Sequence, residues 1–278
     1  MTAVQTGAGA GARAGRRTPG HYRFRNVTRM EWIKLRSLRS SWWTLAVTVG
    51  GAVAISIAVG LNTRNAADDL TNNALAGLVP GLLLAGVLGV LTMTGEYTSG
   101  TIRSTLAAVP RRPMLLAAKA AVFGAVMLAA GEAATFISFF AGGLALRHGI
   151  AAPSLSQPGV LRAVLLSGTS FCLVGLLGLG LGAIIRHTAA AVGVLVGGVY
   201  VVAQFIGAIA HSAAGYMPIL IVGNSLSTTK PESCDGSAAA CPHFLSPWAG
   251  LAALCLYAAV ALAAGGWLLV RRDATSAQ

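Results

Sequence analysis

The sequence predicts an all-α, polytopic integral membrane protein with six transmembrane helices, an N-terminal interfacial helix and a short amphipathic helix in one loop. Three observations predict it. Hydrophobic residues make up 55% of the 278 and charged residues only 10%, whereas a soluble domain carries roughly a quarter charged residues; the mean hydropathy is +0.71. The apolar residues are gathered into runs that can cross a bilayer core, which takes about 20 residues at 1.5 Å rise each. The basic residues flank these runs, and nine of the 20 fall between Arg13 and Arg39, ahead of the first. Thirty-five glycines without a collagen repeat suit helices whose backbones approach closely.

Residues 1–22 are rich in Gly, Ala and Arg with no hydrophobic period, and read as a disordered basic tail. Over 23–41, Phe24, Val27, Leu35 and Leu38 share one helical sector with arginines around much of the remainder, the pattern of a helix lying on the membrane. Glu31 interrupts that sector and Ile33 falls opposite it; a buried or partnered Glu31 resolves the conflict. The first apolar run begins behind some forty polar and basic residues and has no convincing small-residue cleavage site after it, which argues against a cleaved signal peptide. Within a membrane domain over 42–270, the crossings are placed at 42–61, 74–93, 114–146, 160–185, 189–211 and 248–270, leaving 271–278 as a tail. The third is longer than one crossing needs, so it begins among headgroups, tilts or contains a turn. Pro80 should bend the second. The pairs Gly77/Gly81, Gly178/Gly182 and Gly193/Gly197 read as helix contacts, within the chain or with a second copy. GLGLG at 178–182 lies inside an apolar run, not at a strand-to-helix turn, and is no phosphate loop.

Orientation follows from the basic residues. With the N terminus cytoplasmic, the inside collects the nine N-terminal residues with Arg103, Arg111, Arg112, Lys119, Arg186, Arg271 and Arg272; the outside keeps Arg64, Arg147, Arg162 and Lys230. That asymmetry predicts a multi-pass cell-membrane protein with both termini cytoplasmic. Trp42, Trp43, Trp248 and Trp267 then lie near span ends. The net charge of +12 is thereby read as a topology signal and not as a nucleic-acid footprint; aromatic residues, at 6%, are few for base stacking.

Several chemistries lack their residues. Lys34, Lys119 and Lys230 are followed by Leu, Ala and Pro, so no Gly-Lys-Ser/Thr phosphate cradle exists. There is no HExxH, GxSxG or CxxC, and no close carboxylate pair for a metal. The chain is expected to be no enzyme and to hold no cofactor or metal. One loop is informative: after the second crossing the chain reads TGEYTSGTIRSTLAAVPRRPMLLAAKA, where Gly100 and Pro110 bracket Ile102, Leu106 and Val109 at helical spacing. This is a surface helix resting on headgroups or a docking element for a soluble partner.

At these residues the sequence resembles the ABC-2 type transporter permeases, and closely their actinobacterial branch. The likeness rests on Glu31-Trp32-Ile33-Lys34-Leu35-Arg36-Ser37, on LGVLTMTGEYTSGTIRSTLAAVPRR from Leu88 to Arg112, and on Lys119. The resemblance implies half of an export pathway, paired with a second permease in a homo- or heterodimer. Two cytoplasmic ATPase subunits would supply ATP and Mg. It makes residues 24–39 an elbow helix, with Glu31, Lys34 and Arg36 on it, and residues 96–110 a coupling helix. Glu96, Tyr97, Gly100, Thr101, Ile102 and Arg103 would then face the ATPase or shape the loop, with Glu96 and Arg103 pairing with charges on the ATPase or in the elbow. Arg111 and Arg112 would pin the segment to headgroups.

Glu132 is the only acidic residue deep inside a crossing, so it contacts cargo, carries a proton, or serves as a structural hydrogen-bond partner, with Gln204 as a possible polar neighbour. Cys172 and Cys255 read as apolar-run residues used in helix contacts. Cys234 and Cys241 share the outer loop and are close enough in sequence for a disulfide. Two other readings stay open: an ion-gradient-driven transporter or channel, and an ABC-like membrane module that senses or anchors without translocating.

Overall fold

The computed structural model describes residues 23–37, 39–65, 68–109, 111–147, 149–202, 205, 209, 215–228 and 245–271, and every regular element among them is helical. In chain order these are α1 (Phe24–Ser37), α2 (Arg39–Asn62), α3 (Leu70–Ala74), α4 (Leu78–Thr98), α5 (Thr101–Ala108), α6 (Arg112–Leu144), α7 (Val160–Ile185), α8 (Thr188–Val194) with a π-helical continuation (Leu195–Val202), α9 (Pro218–Leu226) and α10 (Pro247–Arg271). Five of them, α2, α4, α6, α7 and α10, are long and apolar enough to cross a membrane. Large apolar side chains point outward along them, including Ile137, Phe140, Leu161 and Val260. Lipid accepts such a surface, while each helix satisfies its own backbone.

Two expected boundaries change. Residues 74–77 do not belong to the second crossing. Asp69 caps the separate helix α3 by accepting from the Asn72 amide at 3.0 Å, and α4 begins at Leu78. Pro80 therefore stands in the first turn, where backbone N–H groups have no intrahelical acceptor, and no bend is required. The third crossing is one uninterrupted helix of 33 residues, about 50 Å long, which excludes an interfacial turn within it. The helix exceeds a core of about 30 Å by about 20 Å, nearly four turns.

The expected fifth crossing is described only over 188–202, and most of its remainder lies outside the described residues. This part runs along α4 in the opposite direction. Thr188 Oγ1 donates to Thr94 Oγ1 at 3.0 Å, Leu195 lies against Gly86, and Val199 and Tyr200 share a small cavity with Leu82.

Helix α7 is the centre of the bundle, touching α4, α6 and α10. Its glycines set the distance: a Cβ at Gly178 would overlap the carbonyl oxygen of Gly86, and one at Gly89 that of Gly175. Side chains at these points would force α4 and α7 apart. Phe139, Phe171, Leu82, Met127 and Leu179 fill the core around this crossing.

One end of the bundle gathers α1, the C-termini of α4, α7 and α10, and the N-terminus of α6. Arg112 donates to the Leu269 carbonyl at 2.7 Å and Arg186 to Leu268 at 3.2 Å. Arg112, expected on headgroups, is thus turned inward, because the last carbonyls of α10 have no intrahelical donor and the helix C-terminus attracts cations. At the opposite end Arg147 donates to the Leu61 carbonyl at 3.1 Å. There Asp69 also accepts from the Thr228 amide at 2.6 Å and from the hydroxyls of Thr228 and Ser227 at 3.0 and 3.2 Å.

Candidate functional site

Helix α4 ends at Thr98, and Gly100, with φ +70°, turns the chain into α5. An L side chain adopts that left-handed backbone only at a cost, so Gly100 shapes the loop. Helix α5 is amphipathic as its spacing predicts. Ile102 and Val109 are buried, and Leu106 and Val109 join Val27 and Met30 of α1 and Leu115 and Ala118 of α6 in a small apolar cluster. Thr101, Arg103 and Ser104 form the exposed side. Ile102 is therefore part of the chain's own interior and is not a residue presented to a partner: its place in the 102/106/109 repeat turns it inward.

Glu96 and Tyr97 lie on the last turn of α4 and not on the loop helix. The Tyr97 ring receives the Arg186 guanidinium 5.4 Å from its centroid and packs against the core, which joins the ends of α4 and α7 through a cation–π contact. Ile102 is buried, whereas Tyr97 is partly exposed. Arg103 and Arg36 are exposed.

The Glu96 carboxylate enters a four-charge cluster. Lys119 of α6 donates to Glu31 Oε2 at 2.6 Å and to Glu96 Oε1 at 2.7 Å. Lys34 donates to Glu96 Oε1 at 3.1 Å and to Thr105 Oγ1 of α5 at 2.8 Å, and its Nζ lies 3.5 Å from Glu31 Oε1. Lys119 and Glu31 are almost fully buried, at 5% and 4% exposure, whereas Lys34 remains one-third exposed. Two carboxylates and two ammonium groups sum to zero charge, as burial at this depth demands. The cluster ties α1, α4, α5 and α6 at one point. Glu31 is thus the buried, partnered residue that the broken amphipathic pattern of α1 calls for.

Sequence reasoning placed Glu31, Lys34 and Glu96 near this region but gave Lys119 no role of its own and passed over Thr105. A signal for Lys119 was present: alone among the three lysines it stands inside a long apolar run, and a buried ammonium needs an anion. Which anion was not legible, because 88 residues separate Lys119 from Glu31.

Glu132 is separate from this cluster. It lies between α6 and α7, where its Oε1 accepts from Thr169 Oγ1 at 3.2 Å. Its carboxyl group occupies the space a side chain at position 168 would need. Gln204 lies outside the described residues, as do Cys234 and Cys241 and with them the expected disulfide. Cys172 is half-buried against the core on α7, and Cys255 is exposed on α10. Among the described residues no three His, Cys, Asp or Glu side chains gather as a metal site would need.

Comparison with family models and with curated proteins returned no match for this chain.

Proposed function

We propose that this chain is the membrane-spanning permease subunit of an ATP-binding cassette transporter of the ABC-2 type, an exporter powered by a separate cytoplasmic ATPase and paired with a second permease. In this reading α1 is the elbow helix and α5 the coupling helix. The observation that carries it is the four-charge cluster. A soluble partner pressing on the exposed side of α5, at Thr101, Arg103 and Ser104, pushes through the Thr105–Lys34 hydrogen bond into α1. Glu96 and Lys119 pass the displacement to α4 and α6. Breaking a pair in this largely buried cluster would leave an uncompensated charge, so the four helix ends move as one rigid body.

The same proposal has six crossings with both chain ends cytoplasmic. Its support is the antiparallel run of residues 188–202 along α4, together with the placement of α9 at the opposite end, where Asn224 donates to the Leu245 carbonyl at 2.8 Å. Thr188 lies beside Thr94 near one end of α4, and Pro218 lies beside Leu82 near the other.

The test is a search of the reading frames adjoining this one for a cytoplasmic P-loop ATPase, followed by co-expression and co-purification of that ATPase with this chain. The intact complex is expected to form and hydrolyse ATP, and Arg103→Glu should weaken assembly or the permease-dependent part of the hydrolysis about tenfold or more while membrane insertion stays normal. Unchanged assembly and hydrolysis would remove α5 as the contact. Transport by the purified chain in vesicles without any ATPase would select the gradient-driven alternative.

A further inference from the structure

Between the α1–α2 corner and the facing sides of α4 and α6 lies a cleft of about 600 Å³. Its polar side is lined by Glu96, Lys34, Ser40, Ser41 and Thr44, and its apolar side by Leu91, Val122 and Phe123. A narrow apolar extension of about 20 Å³ shares Leu35, Ser41, Leu88, Thr92 and Phe123 with it and continues to Trp42, Leu45 and Met127. The polar side is formed by the last turn of α1, the first two turns of α2 and the last turn of α4, at the level where spanning helices meet headgroups.

We infer that this cleft binds a membrane phospholipid whose headgroup carries a primary ammonium, of the phosphoethanolamine type. The inference needs no partner ATPase and rests on four features. Glu96 Oε2 is buried with no hydrogen-bond partner among the described residues, while the other oxygen of that carboxylate is saturated by two lysines. A primary ammonium brings three N–H donors to such an acceptor. The cluster beside it is already neutral, so a ligand with net charge would unbalance it, whereas a zwitterion does not. The hydroxyls of Ser40 and Ser41 line the same cleft and offer donors to the phosphate, and the apolar extension takes the first methylenes of a tail that continues along α2 beside the half-exposed Trp42.

The purified full chain, stripped of lipid, is titrated with phosphatidylethanolamine, phosphatidylcholine and phosphatidylglycerol of identical acyl chains, and retention is read by native mass spectrometry. Phosphatidylcholine keeps the zwitterion but has no ammonium N–H; phosphatidylglycerol has neither. Phosphatidylethanolamine should be retained about tenfold more tightly than either. Gly95→Leu should abolish that preference, because position 95 lines the cleft and a Cβ there meets nothing within 4 Å; leucine also favours the helix over glycine. Gly50→Leu, equally open but outside the cleft lining, should preserve it. Equal retention of the three lipids, or a preference that survives Gly95→Leu in a folded protein, overturns the inference. Displacement by soluble phosphoethanolamine at equal concentration also overturns the lipid as occupant, since the headgroup alone would then suffice.

Discussion

Lys119 satisfies two carboxylates at once from the inside of a long apolar helix. Removing it leaves Glu31 and Glu96 sharing the single remaining ammonium of Lys34. Lys119→Met should therefore lower the stability of the detergent-purified chain by about 3–5 kcal/mol, the cost of an uncompensated buried charge. The double variant Lys119→Met with Glu31→Gln restores charge balance around Lys34 and Glu96, and should lose less than the sum of the two single losses by about 1 kcal/mol or more. Strict additivity in denaturation midpoints would mean that the two groups are not energetically coupled. The pattern around Glu31 was legible as a conflict, because a carboxylate in an apolar sector demands a partner. Its resolution was not, since helical periodicity reports which face a residue occupies and not what lies opposite.

At the scale of elements, three glycine pairs with the same spacing turn out to do different things. Gly77 and Gly81 let α4 approach Ala52 and Phe171, Gly178 and Gly182 let α7 approach α4, and a side chain at Gly193 or Gly197 would meet nothing among the described residues. Gly178→Leu should cost about 1–3 kcal/mol through forced separation of α4 and α7, while Gly193→Leu should leave the melting temperature of the chain in detergent unchanged or raise it slightly. Equal effects at both positions would contradict the close α4–α7 crossing. The spacing marks where a helix is able to approach a neighbour closely, and only the neighbour determines whether it does. Pro80 carries the same lesson: its effect depends on where α4 begins, and the separate capped helix α3 sets that point. The inward turn of Ile102, in contrast, was readable from its spacing with Leu106 and Val109.

Across the whole molecule, polar side chains fasten the two ends of an otherwise apolar bundle. One end carries the four-charge cluster and the arginines on the α10 carbonyls; the other carries Asp69 and its bonds to residues 227 and 228. The basic-residue asymmetry predicts which end faces the cytoplasm. In a background with all four cysteines replaced, Ser154→Cys should react with a membrane-impermeant maleimide on intact cells, and Ser104→Cys only after permeabilisation; the reverse pattern would invert the proposed orientation. By itself the sequence determined the helical membrane class, the extent of the 160–185 helix to the residue and the amphipathic loop helix. These follow from transfer free energy and helical periodicity, which act along the chain. Tertiary structure alone decided that Glu31, Lys34, Glu96, Thr105 and Lys119 meet, that Arg112 caps a helix 157 residues away, and that a cleft lies beside them with one carboxylate oxygen that has no partner among the described residues. Buried charges choose partners by distance in space, and local pattern carries no record of that distance.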